Sequence, residues 1–342
     1  MNSSELPKLS RKQERIILTL SLAIFFVGLI IIFYGAEFLV RGASGLARSL
    51  GMSPMVIGLT VVAFGTSTPE IFVSVVSSLK GKSMIAVGNV IGSNICNIAL
   101  VLGISALFMP IRGQSSVIRR DIPIMLGVSL YLLAISFNSV ISRVEGTTLL
   151  AGIVLYTFLN YYIARQEFKK LMGKAKKIPG KKIVPEKTGL RLRQAGLILL
   201  GIIGVVGGAE MLIGSAIKIM TFLGVGEKFI GLTIVAFGTS LPELATSVVA
   251  AWRKETDISL GNLVGSNVFN ILCVLGIASV VKPITIQGGF VQSGLIYDYL
   301  VMIFISFLPW LLMRVNYKIS RRHGIFMLGF YGIYLMFLVV KS

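Results

Sequence analysis

Long apolar runs separated by short polar stretches make up most of the chain from Ile16 onward. A membrane-crossing helix needs about 20 mostly apolar residues. By that measure ten spans are predicted, near 16–40, 53–79, 84–109, 122–141, 146–164, 194–219, 229–251, 258–281, 294–313 and 323–340. The first run exceeds the roughly 7–15 apolar residues of a secretory core, and no small-residue cleavage site follows it. It therefore reads as a span rather than a signal peptide. The one extended polar segment, 166–193, is rich in Lys and contains Pro179, Gly180 and Pro185. It reads as a disordered basic linker.

Composition removes the soluble alternatives. The 342 residues are 55% hydrophobic and 14% charged, where globular chains carry roughly 25% charge. A net charge of +19 would suggest nucleic acid in a soluble protein, but the 33 Lys and Arg lie almost entirely between apolar runs. With no basic patch interleaved with aromatics, a nucleic-acid partner is not expected. Cys96, Cys273 and the single His323 exclude a disulfide scaffold and any His/Cys metal site. A polytopic protein of the cell membrane is implied, with the bilayer as its environment and no protein partner indicated. Basic residues resist translocation. With the N-terminus outside, cytoplasmic loops hold 22 of the 33 Lys and Arg, 11 of them within 165–193. Lys8, Arg11, Lys12 and Arg15 in the N-terminal tail disagree. Giving the linker precedence puts both termini outside and 166–193 in the cytoplasm, beside anionic lipid.

An internal duplication organises the chain. Residues 58–111 align with 231–284 without a gap at an offset of 173, with 28 of 54 positions identical. The core is GLTVVAFGTSTPE against GLTIVAFGTSLPE, followed by GNVIGSNICNI against GNLVGSNVFNI. The same offset lays GAE at 35–37 over GAE at 208–210; after a shift of five residues Gly146 falls over Gly324 and Tyr156 over Tyr334. Two five-span halves, 1–165 and 194–342, are therefore expected to flank the 166–193 linker. Five is odd, so the halves enter the membrane from opposite sides. The predicted fold is an all-α polytopic membrane protein of ten transmembrane helices in two inverted five-helix repeats, with broken helices at the midplane.

The duplicated segments carry the chemistry. Glu70 is the only charged residue between Pro54 and Leu79, and Glu243 the only one between Phe229 and Trp252. A carboxylate in hydrocarbon costs at least a few kcal/mol unless it faces protein, water or a cation. Neither span offers a Lys or Arg, and two facing carboxylates repel unless something positive sits between them. Pro69 and Pro242 precede the glutamates, removing an amide donor and freeing a carbonyl about one turn earlier. Thr66, Ser67, Thr239 and Ser240 add hydroxyls. Carboxylate, hydroxyl and carbonyl oxygens without nitrogen or sulfur suit Ca²⁺, Na⁺ or Mg²⁺. In the next span Asn89, Ser93 and Asn97 recur every four residues, matched by Asn262, Ser266 and Asn270, so each set stripes one helix face. Ser93, Asn97, Ser266 and Asn270 are expected to line the site. Asn89, Asn94, Asn262 and Asn267 read as hydrogen-bond glue between helices. Glu37 and Glu210 are expected to cap or reach the interface, Asp121 and Asp298 to favour helix N-termini, the cysteines to fill space, and His323 to lie at the interface.

With the paired GTSxPE and GNxxGSNxxN segments, the chain resembles the cation/calcium exchanger superfamily, in its prokaryotic Na⁺/Ca²⁺ exchanger branch. The resemblance covers nearly the whole chain. It implies alternating-access antiport in which Na⁺ enters as Ca²⁺ leaves, with both ions bound at the site in transit and no cofactor. It assigns ion ligation to Glu70 and Glu243, to the hydroxyls of Thr66, Ser67, Thr239 and Ser240, to the carbonyls of Ala63 and Ala236, and to Ser93, Asn97 and Ser266. Asn270 stands where some relatives, including K⁺-cotransporting ones, carry Asp, which argues against K⁺ cotransport. Proton/calcium exchangers of the superfamily place Asn where this chain has Thr-Ser. Ca²⁺/H⁺ exchange through the same glutamates remains the near alternative and a cation channel the distant one. An intramembrane protease is not expected, because Asp121, Asp257 and Asp298 lie near span ends and no span holds a Ser–His pair.

Overall fold

The computed structural model describes residues 11–175, 188–223, 236–314 and 316–341. They are mostly helical. In the first part α1 (Arg11–Leu50), α2 (Pro54–Thr66) and α3 (Thr68–Leu79) precede α4 (Ser83–Phe108), α5 (Ile122–Ser136) and α6 (Arg143–Ala175). In the second, α7 (Thr188–Phe222) and a turn at Ala236–Gly238 lead to α8 (Leu241–Trp252), α9 (Thr256–Val281), α10 (Leu295–Met313) and α11 (Arg321–Lys341).

Among the described residues, six helices are long and apolar enough to cross a membrane, and the bent pair α2–α3 makes a seventh. Ten spans are predicted from sequence, and the difference has identifiable sources. The 53–79 run is two helices bent by 44°. The 229–251 run starts outside the described residues, which retain only the Ala236–Gly238 turn and α8. The 122–141 run is a 15-residue helix behind a π-helical turn at Val117–Asp121. α11 covers the predicted 323–340 run as one helix, whose last side chains lie outside the described ones. Of the 166–193 linker, 176–187 lies outside the described residues, and its flanks continue α6 and α7 as helix.

The all-α prediction needs one correction. Four two-residue strands form antiparallel ribbons: β1 (Ile111–Arg112) pairs with β4 (Lys318–Ile319), and β2 (Val140–Ile141) with β3 (Ile284–Thr285). Ile111 opposes Ile319, and Ile141 opposes Ile284. The offset of 173 carries β1 onto β3, and the shifted offset of 178 carries β2 onto β4. Each ribbon therefore joins one half to the other, and exchanging the halves turns one ribbon into its partner in register. Pairing satisfies backbone groups at loop ends that would otherwise be left unbonded.

The inner helices are α4 and α9. Of the most apolar stretch of each, 78% and 83% is buried, against 17% for α1. α1 lies against α7 in the opposite direction: Gly28 approaches Gly208, Gly35 meets Gly204, and Gly42 meets Gln194. A Cβ on Gly35 would sit 2.6 Å from the Val205 nitrogen. Hydrocarbon gives helices no solvent drive to associate, so close backbone packing of this kind supplies the attraction. Gly35 and Gly208 belong to the two GAE segments. Equivalent helices of the duplication thus meet, and they run antiparallel.

Candidate ion-binding site

The broken spans follow from where proline sits. Pro69 occupies the first turn of α3 and Pro242 the first turn of α8, where a missing N–H leaves no helical bond unmade. Ser67 (φ −79°, ψ 6°) and Ser240 (φ −88°, ψ 5°) leave helical geometry just before them. Glu70 and Glu243 consequently fall in the first turns of new helices. Aligned peptide dipoles favour negative charge there. The Ala63 carbonyl, assigned to the ion by the resemblance, accepts the Ser67 N–H at 3.0 Å. Ala236 opens its helical turn at the edge of the described residues.

Both glutamates are fully buried. Ser93 Oγ donates to Glu70 Oε1 at 3.3 Å, while Glu243 Oε1 accepts from Ser67 Oγ at 3.4 Å and Ser266 Oγ at 3.5 Å. Ser67 thus reaches across to the carboxylate of the other half. Ser93 also shares a hydrogen bond with Thr239, at 3.5 Å, and Ser266 with Thr66, at 3.4 Å. Every candidate from Thr66 to Asn270 whose side chain is described is buried. Among the described residues the second carboxylate oxygens, Glu70 Oε2 and Glu243 Oε2, have no hydrogen-bond partner, and neither do Ser240 Oγ, Asn97 Oδ1 and Asn270 Oδ1. Among the described residues no ion pair touches either glutamate, and no three His, Cys, Asp or Glu side chains gather as a metal cluster. The donor set is two carboxylates surrounded by neutral oxygens.

The asparagines read as glue do bond between helices, and two of them also reach the site threonines. Asn89 and Asn262, read as glue, anchor their amides on Ser74 and Ser247, each at 3.0 Å. Asn262 Oδ1 then lies 3.1 Å from the Thr66 hydroxyl, and Asn89 Oδ1 accepts from Thr239 at 3.4 Å. They orient the site threonines. The Thr66 hydroxyl also lies 3.2 Å from its own Val62 carbonyl, and its single proton serves one acceptor at a time. Asn94 and Asn267 do act as glue: each donates to the other's backbone carbonyl at 3.2 Å. Asn97 and Asn270 donate to Asn267 Oδ1 and Asn94 Oδ1, both at 3.1 Å. That fixes their amide nitrogens and leaves the carbonyl oxygens unengaged. π-helical turns at Cys96–Val101 and Asn270–Leu275 begin beside these two residues; such turns re-aim side chains within a helix.

Outside this cluster the weaker candidates separate. Glu37, expected at a cap or the interface, is buried and pairs with Arg253 and, at 2.7 Å, with Arg41. Ser44 Oγ donates to Glu255 Oε1 at 2.5 Å. α1 of the first half is thereby tied to the turn after α8 of the second. The offset that lays Glu37 over Glu210 also lays Lys80 over Arg253, although spacing alone does not reveal the pair. Glu210 is exposed, and among the described residues neither it nor Lys80 forms an ion pair. Asp121 is buried beside Arg120, with the guanidinium 2.9 Å away, and Tyr334 Oη donates to Asp298 at 3.4 Å. Both cysteines are buried free thiols. His323 caps α11, accepting the Ser320 N–H at 3.3 Å.

Comparison with known proteins gives a consistent result. A family model described as sodium/calcium exchanger protein matches residues 20–163 and again 193–340. The chain is 35% identical over 326 residues to the inner membrane protein YrbG of Escherichia coli strain K12, covering 93% of this chain and 97% of that one. It is 30% identical over 352 residues to the sodium/calcium exchanger MaX1 of Methanosarcina acetivorans, covering 94% and 99%. Among solved structures it is similar to the sodium-calcium exchanger NCX_Mj soaked without Na⁺ and Ca²⁺, with a TM-score of 0.79, 33% identity, and 94% and 99% of the two chains covered.

The asparagine lattice generates a stability prediction. Asn267→Leu strands the Asn97 amide and removes the donor to the Asn94 backbone carbonyl, and an unsatisfied buried donor costs about 1–3 kcal/mol. Thermal unfolding in detergent is expected to show that loss. The double variant Asn97→Leu/Asn267→Leu removes both ends of one bond and is expected to lose less than the sum of the singles. Additive losses would show that the two residues do not act as one joint.

Proposed function

The chain belongs to the sodium/calcium exchanger protein family, and from that premise we propose that it is a secondary active antiporter exchanging Na⁺ for Ca²⁺ across the cell membrane by alternating access. The carrying observation is the pair of fully buried glutamates, each with one carboxylate oxygen that has no partner among the described residues. An ionised carboxylate at membrane depth is costly unless protein, water or a cation offsets it, and in this reading a cation does so. In this reading Glu70 and Glu243 supply formal charge −2, which one Ca²⁺ or several Na⁺ neutralise. Thr66, Ser67, Thr239, Ser240, Ser93, Ser266, Asn97 and Asn270 supply neutral oxygens, as do the Ala63 and Ala236 carbonyls. A hard, oxygen-only donor set suits both ions. Left without cations, the paired charges resist crossing hydrocarbon, and that resistance couples the two fluxes.

The finer architecture goes with this reading: ten spans as two inverted five-helix repeats, 1–165 and 194–342, with both termini outside and the 166–193 linker in the cytoplasm. The antiparallel packing of α1 on α7 and the reciprocal ribbons support it. Alternating access then amounts to the halves exchanging roles. The Glu37–Arg253 ion pair closes one end of the site, and its repeat mates Glu210 and Lys80 close the other end in the alternate state. H⁺ in place of Na⁺ is the competing counter-ion, with the same two glutamates carrying the protons.

Radiolabelled Ca²⁺ uptake into proteoliposomes under an imposed Na⁺ gradient, with and without a protonophore, tests the reading. Uptake is expected to require Na⁺ and to ignore the protonophore; Na⁺-independent, protonophore-sensitive uptake would establish the proton exchanger. Glu70→Gln and Glu243→Gln each break a buried charge arrangement, a loss of about 3–5 kcal/mol, or roughly 100-fold or more in affinity, so uptake should fall to background. Thr66→Ala and Thr239→Ala remove neutral ligands and should cost only about 0.5–1.5 kcal/mol.

Because Asn270 adds no third charge, K⁺ is expected to leave uptake unchanged at fixed Na⁺ and osmolarity; stimulation by K⁺ would contradict the two-carboxylate site. For the closing pairs, Glu37→Gln with Arg253→Gln and Glu210→Gln with Lys80→Gln are each expected to show coupling of about 0.5–3 kcal/mol in exchange rate. Additive effects in either cycle would remove that pair from the mechanism.

A further inference from the structure

An apolar cleft of about 580 Å³ lies behind the glutamates, bounded by α1, α4, α7 and α8. That volume falls within the roughly 300–1,000 Å³ of small-molecule sites. Its walls are hydrocarbon and aromatic throughout, from Leu241 at one end of α8, past Leu244 and Val248, to Trp252 at the other, with Phe33 and Phe108 opposite. The side chains set the occupant's chemistry as apolar, and the geometry sets its length. α8 has 12 residues, or about 18 Å at 1.5 Å per residue. That is close to one leaflet of a hydrocarbon core of about 30 Å. The cleft is one acyl chain deep.

Its aromatic end is strongly basic. Trp252, whose ring lies 6.1 Å from that of Phe33, is followed directly by Arg253 and Lys254, both exposed. On the opposite wall Arg321 of α11 donates to the carbonyl of Leu107, the neighbour of Phe108, at 3.0 Å, with Arg322 next to it. Glu37 and Glu255 engage Arg41, Arg253 and Arg48. Among the described residues Lys254, Arg321 and Arg322 form no ion pair. An aromatic residue at the depth of the headgroups, with free cations just beyond it, is the arrangement that recognises an anionic lipid.

We propose that this cleft binds one phospholipid of anionic headgroup, with an acyl chain along α8 from Trp252 to Leu241 and the phosphate among Lys254, Arg321 and Arg322. The bound chain packs against the face of α8 opposite Glu243 and fills the space between α8 and α1. The lipid therefore braces the helix that carries half of the site's charge. The proposal needs only a bilayer and is independent of which ions are exchanged.

Native mass spectrometry of the full chain, released from nanodiscs of equimolar phosphatidylglycerol and phosphatidylcholine, tests it. The expected result is one retained phosphatidylglycerol per protein, preferred about tenfold over phosphatidylcholine. Ala245→Trp and Val248→Phe fill the cleft and should abolish retention. Lys254→Gln combined with Arg322→Gln alters only exposed side chains and should erase the headgroup preference while the fold, read by thermal unfolding in detergent, is unchanged. Equal retention of both lipids by the unaltered protein would overturn the proposal. So would undiminished phosphatidylglycerol retention in a folded Ala245→Trp or Val248→Phe variant, or an intact headgroup preference in the Lys254→Gln/Arg322→Gln protein.

Discussion

Two buried carboxylates, paired with no cationic side chain among the described residues, set the terms for the rest of this molecule. Among the described residues Glu70 and Glu243 each satisfy one oxygen with serine hydroxyls and leave the other unpartnered. Desolvation makes an isolated charge at this depth costly, and mutual repulsion adds to the cost. The features around them reduce it: each glutamate sits in the first turn of a helix, where peptide dipoles face it, and each is lined by hydroxyls. None of these supplies a full positive charge. In the proposed reading the remaining term belongs to a mobile cation, and that requirement would distinguish a transport site from a structural ion pair.

The fold delivers the pair through its internal two-fold relation. Proline just inside each half-helix breaks the span at Ser67 and Ser240, so the glutamates meet at broken ends rather than along continuous rods. Asn94 and Asn267 clamp α4 to α9 through reciprocal bonds to each other's backbone, fixing the two polar stripes relative to one another. Asn89 and Asn262 turn the threonines inward. The two strand ribbons repeat the exchange at the periphery, so a displacement of one half is resisted equally by both. The Glu37–Arg253 pair is the exception, made on one side only among the described residues.

Much of this was legible in the chain itself because duplication marks its own important residues. A lone Glu behind Thr-Ser and Pro is ambiguous; the same string 173 residues later is not. The broken span at 53–79 followed from Pro69, and the oxygen-only donor set from residue types. Other features depend on three-dimensional partners that spacing does not reveal. Asn89 and Asn262 read as glue and do bridge helices, but their position on the stripe says nothing about which hydroxyl they would meet. Glu37 read as interfacial because Arg253, its partner, is 216 positions away. The two-residue strands are too short for any periodicity, and the hydrogen bond that engages Ala63 arises only where the helix turns at Ser67. Apolar length also overstated the regularity of the spans, since π-turns and prolines divide what hydropathy reads as continuous.

The central claim is that the glutamate pair crosses the membrane only when a cation neutralises it. Proteoliposomes loaded with radiolabelled Ca²⁺ and diluted into choline medium free of Na⁺ and Ca²⁺ test it directly. The account predicts that Ca²⁺ is retained, and that adding external Na⁺ or unlabelled Ca²⁺ releases it promptly. Rapid loss of Ca²⁺ into the choline medium, at the rate seen with external cation present, would contradict it and identify a channel.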